Sequence, residues 1–203
     1  MAQAEHPVSG RRIAPTMSIS GADWLDRSAR EFEEDPEAAL NALHLQKGMW
    51  VADVGAGTGY FTVRMARRVG PTGRVFATDV QPEMLSRLQE NLEKEHLTNV
   101  EPVLGTQNDP KLPVGKLDLI LMVDVYHELS QPQRMLREMR KALKADGRLV
   151  LIEYRKEDPT IPIRPEHKMS AQEVKAEVES EGYKLIETSK TLPRQSIFFF
   201  RKQ

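Results

Sequence analysis

The sequence predicts a doubly wound α/β fold: a seven-stranded, mostly parallel sheet with helices on both faces and an antiparallel hairpin at the C-terminus. Three observations carry this prediction. From residue 49 onward, apolar runs alternate with helical patterns. The stretch VADVGAGTGYFT, residues 51–62, sets three glycines at alternate positions between an apolar run and a helical one. The tail then ends in two β-rich runs, YKLIETSK and QSIFFFRK, joined by TLPR with no crossover helix between them.

Taken in order, residues 1–20 contain Pro7, Gly10 and Pro15 and few large apolar groups, and read as an irregular arm, either mobile or draped over the body. Residues 21–203 read as one domain, led by short helices within 21–46. Two helices are expected there, with Asp35 and Pro36 as N-cap and first turn before Ala39, Leu40 and Leu43. MWVADV is the first strand and YFTVRMARRV the first crossover helix. RVFATDV is the second strand, and PEMLSRLQENLEKEH the second crossover helix, with Met84, Leu85, Leu88 and Leu92 on one face. NVEPVL, LDLILMV and RLVLIEY follow as strands. Between the last two, QPQRMLREMRKALKA opens after Ser130 with Pro132 in its first turn and is expected to end at Asp146-Gly147. Ser170 and Glu173 form a capping-box pattern that opens the last helix, and Gly182 closes it.

Composition narrows the function. With 29 basic and 30 acidic side chains the net charge is −1, so no field favours nucleic acid or an anionic membrane. The basic residues from Arg134 to Lys144 are interrupted by Glu138 and read as a solvated helix face. No apolar run approaches the roughly 20 residues that span a bilayer. A soluble, cytoplasmic protein is expected, while the opening MAQAEHP also suits the remainder of a removed export signal. The absence of cysteine excludes disulfides, thiolate metal sites and a cysteine nucleophile.

Gly55, Gly57 and Gly59 sit at a strand-to-helix turn, where main-chain N–H groups can approach a ligand closely. The dinucleotide fingerprint G-x-G-x-x-G fails because Tyr60 occupies its sixth position, and the Gly-Lys-Ser/Thr of a phosphate loop is missing. The D-x-G-x-G-x-G pattern from Asp53 to Gly59 resembles the first motif of the class I S-adenosylmethionine-dependent methyltransferases, and the resemblance extends over about residues 35–203. Their Rossmann-like sheet of seven strands, ending in an antiparallel hairpin, agrees with the tail described above. S-adenosylmethionine carries a ribose diol and a cationic amino-acid end but no phosphate, so acids should surround it. Asp79, twenty residues after Gly59, ends the second strand, where a carboxylate can accept both ribose hydroxyls. By resemblance, Asp53 faces the amino group of the methionine portion, and Val80 and Gln81 flank the adenosine. Asp124, just past the fourth strand, lies at the sheet edge where this fold holds ligands. Many members place an acid directly after the glycine that ends the third strand. Here Thr106 follows Gly105, so Thr106, Gln107 or Asp109 is left as the adenine partner, with Asp109 before Pro110 equally readable as turn chemistry.

Tyr126, His127 and Glu128 follow the fourth strand, on the side where the transferable methyl should emerge. His127 could remove a proton from an oxygen, nitrogen or sulfur nucleophile; equally, His127 and Glu128 could cap the next helix or bond each other. Glu153 interrupts the apolar LVLIEY at its carboxyl end and is expected to face the cleft as a second base candidate. His167 could reach the same cleft across the loop. Asp124, His127, Glu153 and His167 offer donors for a divalent cation, but no tight ligand spacing joins them and no metal is expected. Trp24 and Phe32 read either as a lid or as ordinary packing. The expected activity is methyl transfer from S-adenosylmethionine to a small-molecule acceptor by in-line displacement at the sulfonium. The alternative is a noncatalytic S-adenosylmethionine-binding protein acting through a partner; the acceptor and the oligomeric state are left open.

Overall fold

A computed structural model describes residues 4–203, so the first three residues of the expected arm lie outside the described residues. The strands are β1 (Trp50–Val54), β2 (Arg74–Asp79), β3 (Val100–Leu104), β4 (Leu117–Val123), β5 (Leu143–Tyr154), β6 (Tyr183–Ser189) and β7 (Gln195–Lys202). They form one seven-stranded sheet in the order β3-β2-β1-β4-β5-β7-β6. The first five run parallel, and β7 inserts antiparallel between β5 and β6. The chain winds outward from β1 in one direction and then from β4 in the other. The carboxyl ends of β1 and β4 therefore flank the point where the winding reverses, the place where doubly wound sheets bind ligands.

Helices cover both faces. α4 (Tyr60–Val69) follows β1, α5 (Pro82–Lys94) follows β2, α6 (Pro132–Ala142) precedes β5 and α7 (Ala171–Glu179) precedes β6. One core packs Met135, Leu136 and Met139 of α6 and Val174 and Val178 of α7 against Ile120, Met122, Leu149 and Phe198. The other packs Phe61, Met65 and Val69 of α4 against Val51, Val75, Leu119 and Val150 on the opposite face. Both faces of the central strands are buried, which is why they read as continuous apolar runs. The Ser170–Glu173 capping box forms with both of its hydrogen bonds, so the start of α7 is fixed by local chemistry.

Two boundaries differ from expectation. The leading region holds three short helices, α1 (Ala22–Leu25), α2 (Arg30–Glu34) and α3 (Pro36–Ala42), rather than two. Asp35 adopts a left-handed φ of 49° and accepts the Ala38 N–H, so it breaks one helix and caps the next. The helix expected to run to Asp146 stops at Ala142, because Leu143 already pairs with Leu117 across a bulge and the chain continues into β5. Most basic side chains of α6 lie on its outer face, where Arg137 pairs with Glu181 and Lys141 with Glu138, while Lys144 beyond the helix end pairs with Asp118 and Arg140 is half-buried.

Residues 4–17 lie along the body. A narrow turn pairs Glu5 with Arg12, and the buried Arg11 forks onto Glu177 of α7 at 2.8 and 3.1 Å. Ser9 and His6 approach the same carboxylate. Arg11 also donates to the His127 carbonyl at 3.0 Å, which is reached by the Ala14 N–H at 3.1 Å. The arm is thereby tied directly to the segment after β4. Among the described residues no helix is long and apolar enough to cross a membrane.

Candidate active site

A cleft of about 340 Å³ opens at the carboxyl ends of β1, β2 and β4, within the range of small-molecule sites. Its floor is the turn from β1 into α4. Gly55 and Gly59 adopt φ of 76° and 93°, which side chains other than glycine rarely tolerate. A Cβ on Gly55 would lie 2.5 Å from Val125, and one on Gly59 would collide with Leu88. Thus Gly59 lets α4 and α5 meet, and Gly55 lets the β1 and β4 edges close together. Gly57 donates its N–H to Asp79 Oδ2 at 3.0 Å, and the Gln81 N–H reaches Oδ1 at 2.9 Å. The Asp79 carboxylate is held rigid at the mouth of β2, yet each oxygen retains capacity for another donor.

Asp53 also lines the cleft and accepts from the Thr62 hydroxyl at 2.6 Å. Burial pushes its carboxyl up to about 6, against the opposing effects of the Thr62 bond and Arg30. Burial likewise raises the Asp79 carboxyl. Asp124 has φ 53° immediately after β4, a conformation that aspartate tolerates better than bulkier residues. Its Oδ2 accepts from Gln195 of β7 at 2.6 Å, while Oδ1 is buried with no hydrogen-bond partner among the described residues. Burial, and then Glu34 and Glu153 nearby, push this carboxyl well above the usual range.

Val80, Gln81, Thr106 and Gln107 line the far wall. Gln81 donates to the Met17 carbonyl at 2.9 Å, joining the arm to this wall. Thr106 is bonded within its own turn to Asn108, and Gln107 accepts from the Ser130 hydroxyl at 2.8 Å. Asp109 does not line the cleft: its carboxylate caps the Lys111 N–H, so turn chemistry is its role.

The catalytic candidates separate into three groups. His127, Glu128 and His167 reach the cleft together. His127 Nε2 lies 3.0 Å from His167 Nδ1, and Glu128 Oε1 lies 3.8 Å from the former and 3.6 Å from the latter. Burial raises the Glu128 carboxyl to about 7 and lowers the His167 imidazole, with His127 adding to the latter effect. Glu153 is fully buried and does not face the cleft, contrary to expectation. Its Oε2 meets His127 Nδ1 at 2.6 Å and its Oε1 accepts the Tyr126 N–H at 2.9 Å, so both oxygens are engaged in orienting the turn. Tyr126 is the other correction. The 3₁₀ turn Tyr126–Glu128 directs its ring into the core beneath Arg11, away from the cleft.

Trp24 lines the cleft and stacks on Arg27, whereas Phe32 projects into solvent and neither covers the site nor packs. Unforeseen from sequence is the buried Arg30–Glu34 pair of α2. Arg30 lines the cleft, and Glu34 accepts from Arg30 at 2.6 Å and from the Tyr154 hydroxyl at 2.8 Å, pinning the leading helices to β5. Its sequence signal is an i,i+4 acid–base pair in a helix otherwise poor in apolar residues.

The methyltransferase domain family matches residues 45–193. The chain belongs to the S-adenosylmethionine-dependent methyltransferases. The chain is 31% identical to an S-adenosylmethionine-dependent methyltransferase of known structure from Aquifex aeolicus, covering 93% of this chain and 100% of that one with a TM-score of 0.87. Over 123 residues it is 30% identical to demethylmenaquinone methyltransferase from Listeria monocytogenes, covering 61% of this chain and 51% of the relative. It is also 32% identical over 118 residues to a ubiquinone/menaquinone biosynthesis C-methyltransferase from an Enterobacter species, covering 58% and 47%. The chain thus spans about half the length of these curated relatives. A [4+2]-cyclase, SpnF, shares the fold with a TM-score of 0.69 at 17% identity, over 83% of this chain and 81% of that one. Such a likeness concerns architecture, because chemistry resides in the site rather than the fold.

The cleft suits the family's cofactor. A ribose diol needs two acceptors, and Asp79 offers them with its geometry already fixed. A cationic amino group needs buried carboxylates, and Asp53 and the unpartnered Asp124 Oδ1 could serve it. When bound, S-adenosylmethionine supplies a methyl group activated by its sulfonium.

Proposed function

We propose that the protein methylates a small-molecule acceptor, which binds beside the cofactor and against the corner formed by His127, Glu128 and His167. The observation that carries this reading is the shared cleft. The glycine turn, Asp53 and Asp79, the two histidines and Glu128 all line it, together with Met17, Trp24 and Ile163. A cavity of about 340 Å³ that must also hold the cofactor suits a compact acceptor rather than a polymer. The net charge of −1 agrees, since nucleic-acid substrates call for a basic surface.

Within this reading each group has a separate task. Asp79 fixes the ribose, Val80 and Gln81 flank the adenosine, and Asp53 and Asp124 neutralise the amino-acid end. Thr106 and Gln107, both already bonded to neighbours, border the adenine side and leave its recognition to packing and backbone. Glu153 positions His127. The corner places two imidazoles and a carboxylate beside the acceptor, so a proton leaving an O–H, N–H or S–H group can be taken up there. Rate comes chiefly from holding the nucleophile in line.

The relatives named for demethylmenaquinone and for ubiquinone/menaquinone biosynthesis suggest quinone-derived acceptors as one class to examine. The test is S-adenosylhomocysteine formation across a panel of hydroquinones, phenols, amines and thiols. Release with one class and none from His127→Ala supports the reading. Binding of the cofactor without product on any class would reject it.

A further inference from the structure

We propose that His127, Glu128 and His167 form a three-ligand site for a divalent transition-metal ion, which would also hold a hydroxyl group of the acceptor. The proposal rests on the reading that the acceptor binds at this corner. It begins with three donor atoms from two separate segments. His127 Nε2, His167 Nδ1 and Glu128 Oε1 are separated by 3.0, 3.6 and 3.8 Å. Donors about 2.1 Å from one metal stand roughly 3.4 Å apart in a tetrahedral shell, so the triangle already has nearly the right size. A histidine–histidine hydrogen bond accounts for the shortest edge. It leaves unexplained why Glu128 Oε1 turns toward both rings while the Met17 N–H bonds the other oxygen, Oε2.

The surroundings are those of a catalytic metal centre. His127 Nδ1 donates to the buried Glu153, which orients the ring so that Nε2 is directed at the other two ligands. Glu153 is itself anchored by the Tyr126 N–H. The Arg11 and Ala14 bonds to the His127 carbonyl hold the turn from the other side. Two imidazoles and one carboxylate suit zinc, iron, cobalt or nickel rather than magnesium, whose preferred ligands are oxygens. Three protein ligands leave positions open toward the cleft, and an acceptor oxygen can take one of them.

Its consequence for the reaction is direct. On coordination the acceptor O–H bond breaks, its proton passes to water, and the oxygen becomes a nucleophile at neutral pH. That oxygen then forms the new O–C bond as the S–C bond of the cofactor breaks, leaving S-adenosylhomocysteine. The corner would therefore select hydroxylated acceptors.

The decisive experiment is a titration of the chelator-treated full chain with Co²⁺, read by its visible d–d absorption, followed by displacement with Zn²⁺. S-adenosylhomocysteine binding is measured by calorimetry on the same samples. One Co²⁺ per chain is expected, displaced by Zn²⁺ and unaffected by excess Mg²⁺. Glu128→Gln and His167→Ala should each weaken it at least about tenfold, and Glu153→Gln roughly 10- to 100-fold through its hold on His127. Unchanged homocysteine-product binding in these variants shows that they are folded. A spectrum no different from that of free Co²⁺, with normal S-adenosylhomocysteine binding, overturns the metal site and leaves the cofactor reading standing. Co²⁺ binding without S-adenosylhomocysteine binding does the reverse. Equal Co²⁺ affinity in wild type and both ligand variants, or displacement by Mg²⁺, also overturns the proposed site.

Discussion

The two sides of the cleft are built by different means. The cofactor side is a local construction, in which one strand-to-helix turn and one neighbouring strand end supply Gly55, Gly57, Gly59 and Asp79. The side proposed for the acceptor is assembled from afar. His127 and Glu128 follow β4, Glu153 ends β5, His167 comes from the loop before α7, and the arm fastens the whole to Glu177. The lesson is that backbone sets the shape on one side and buried polar side chains set it on the other. The first should fail through steric conflict, and the second through loss of charge partners and of chemistry.

The largest effect is expected from the backbone side. Gly59→Val adds a branched side chain against Leu88 at left-handed φ, and should destabilise the protein by about 2–6 kcal/mol, combining strain with overpacking. Thermal unfolding measures it. If the melting temperature stayed within a degree or so of wild type, the tight α4–α5 contact would be wrong. On the acceptor side, Arg11→Ala leaves the buried Glu177 without its bidentate partner and should cost about 3–5 kcal/mol. Denaturant midpoints test this, and Glu177→Gln in the Arg11→Ala background should recover part of the loss.

Function should divide along the same line. His127→Ala is expected to lower turnover by about 10²- to 10⁴-fold while S-adenosylhomocysteine affinity stays nearly constant. A parallel fall in affinity would merge the two sides into one. The smallest effect concerns pH. Burial raises the Asp53 carboxyl to about 6, with Thr62 and Arg30 opposing and Asp79 assisting. A raised acid stabilises the fold in its protonated form, so this contribution is full below the ordinary carboxyl range and is lost as pH rises through about 6. Cofactor binding has the opposite preference, because the cationic amino group favours ionised Asp53. Affinity for S-adenosylhomocysteine should fall several-fold from pH 7 to pH 5, and Asp53→Asn should flatten that dependence. A profile identical in the variant would assign the titration elsewhere.

This contrast also explains what could be read from the sequence. The glycine spacing, the alternation of strands and helices and the terminal hairpin are local or periodic signals, and the fold followed from them. The place of Asp79 beside the glycine turn was legible because the carboxyl ends of neighbouring parallel strands lie together. Tyr126 and Glu153 were misread for a common reason. A 3₁₀ turn fans successive side chains in different directions, and a central strand buried on both faces gives no alternation to show which way Glu153 points. The convergence of Glu128 with His127 and His167 depends on where a loop folds back, which spacing along the chain does not encode. The buried Arg30–Glu34–Tyr154 connection likewise joins elements far apart in sequence.

Calorimetric titration of Asp79→Ala with S-adenosylhomocysteine tests the central claim most directly. Hydrogen bonds to a charged acceptor contribute about 1.5–3 kcal/mol each, so losing both should make the variant bind roughly 10²- to 10⁴-fold more weakly than wild type while it remains folded. Wild-type affinity in a folded Asp79→Ala chain would contradict the assignment of this strand end as the ribose anchor.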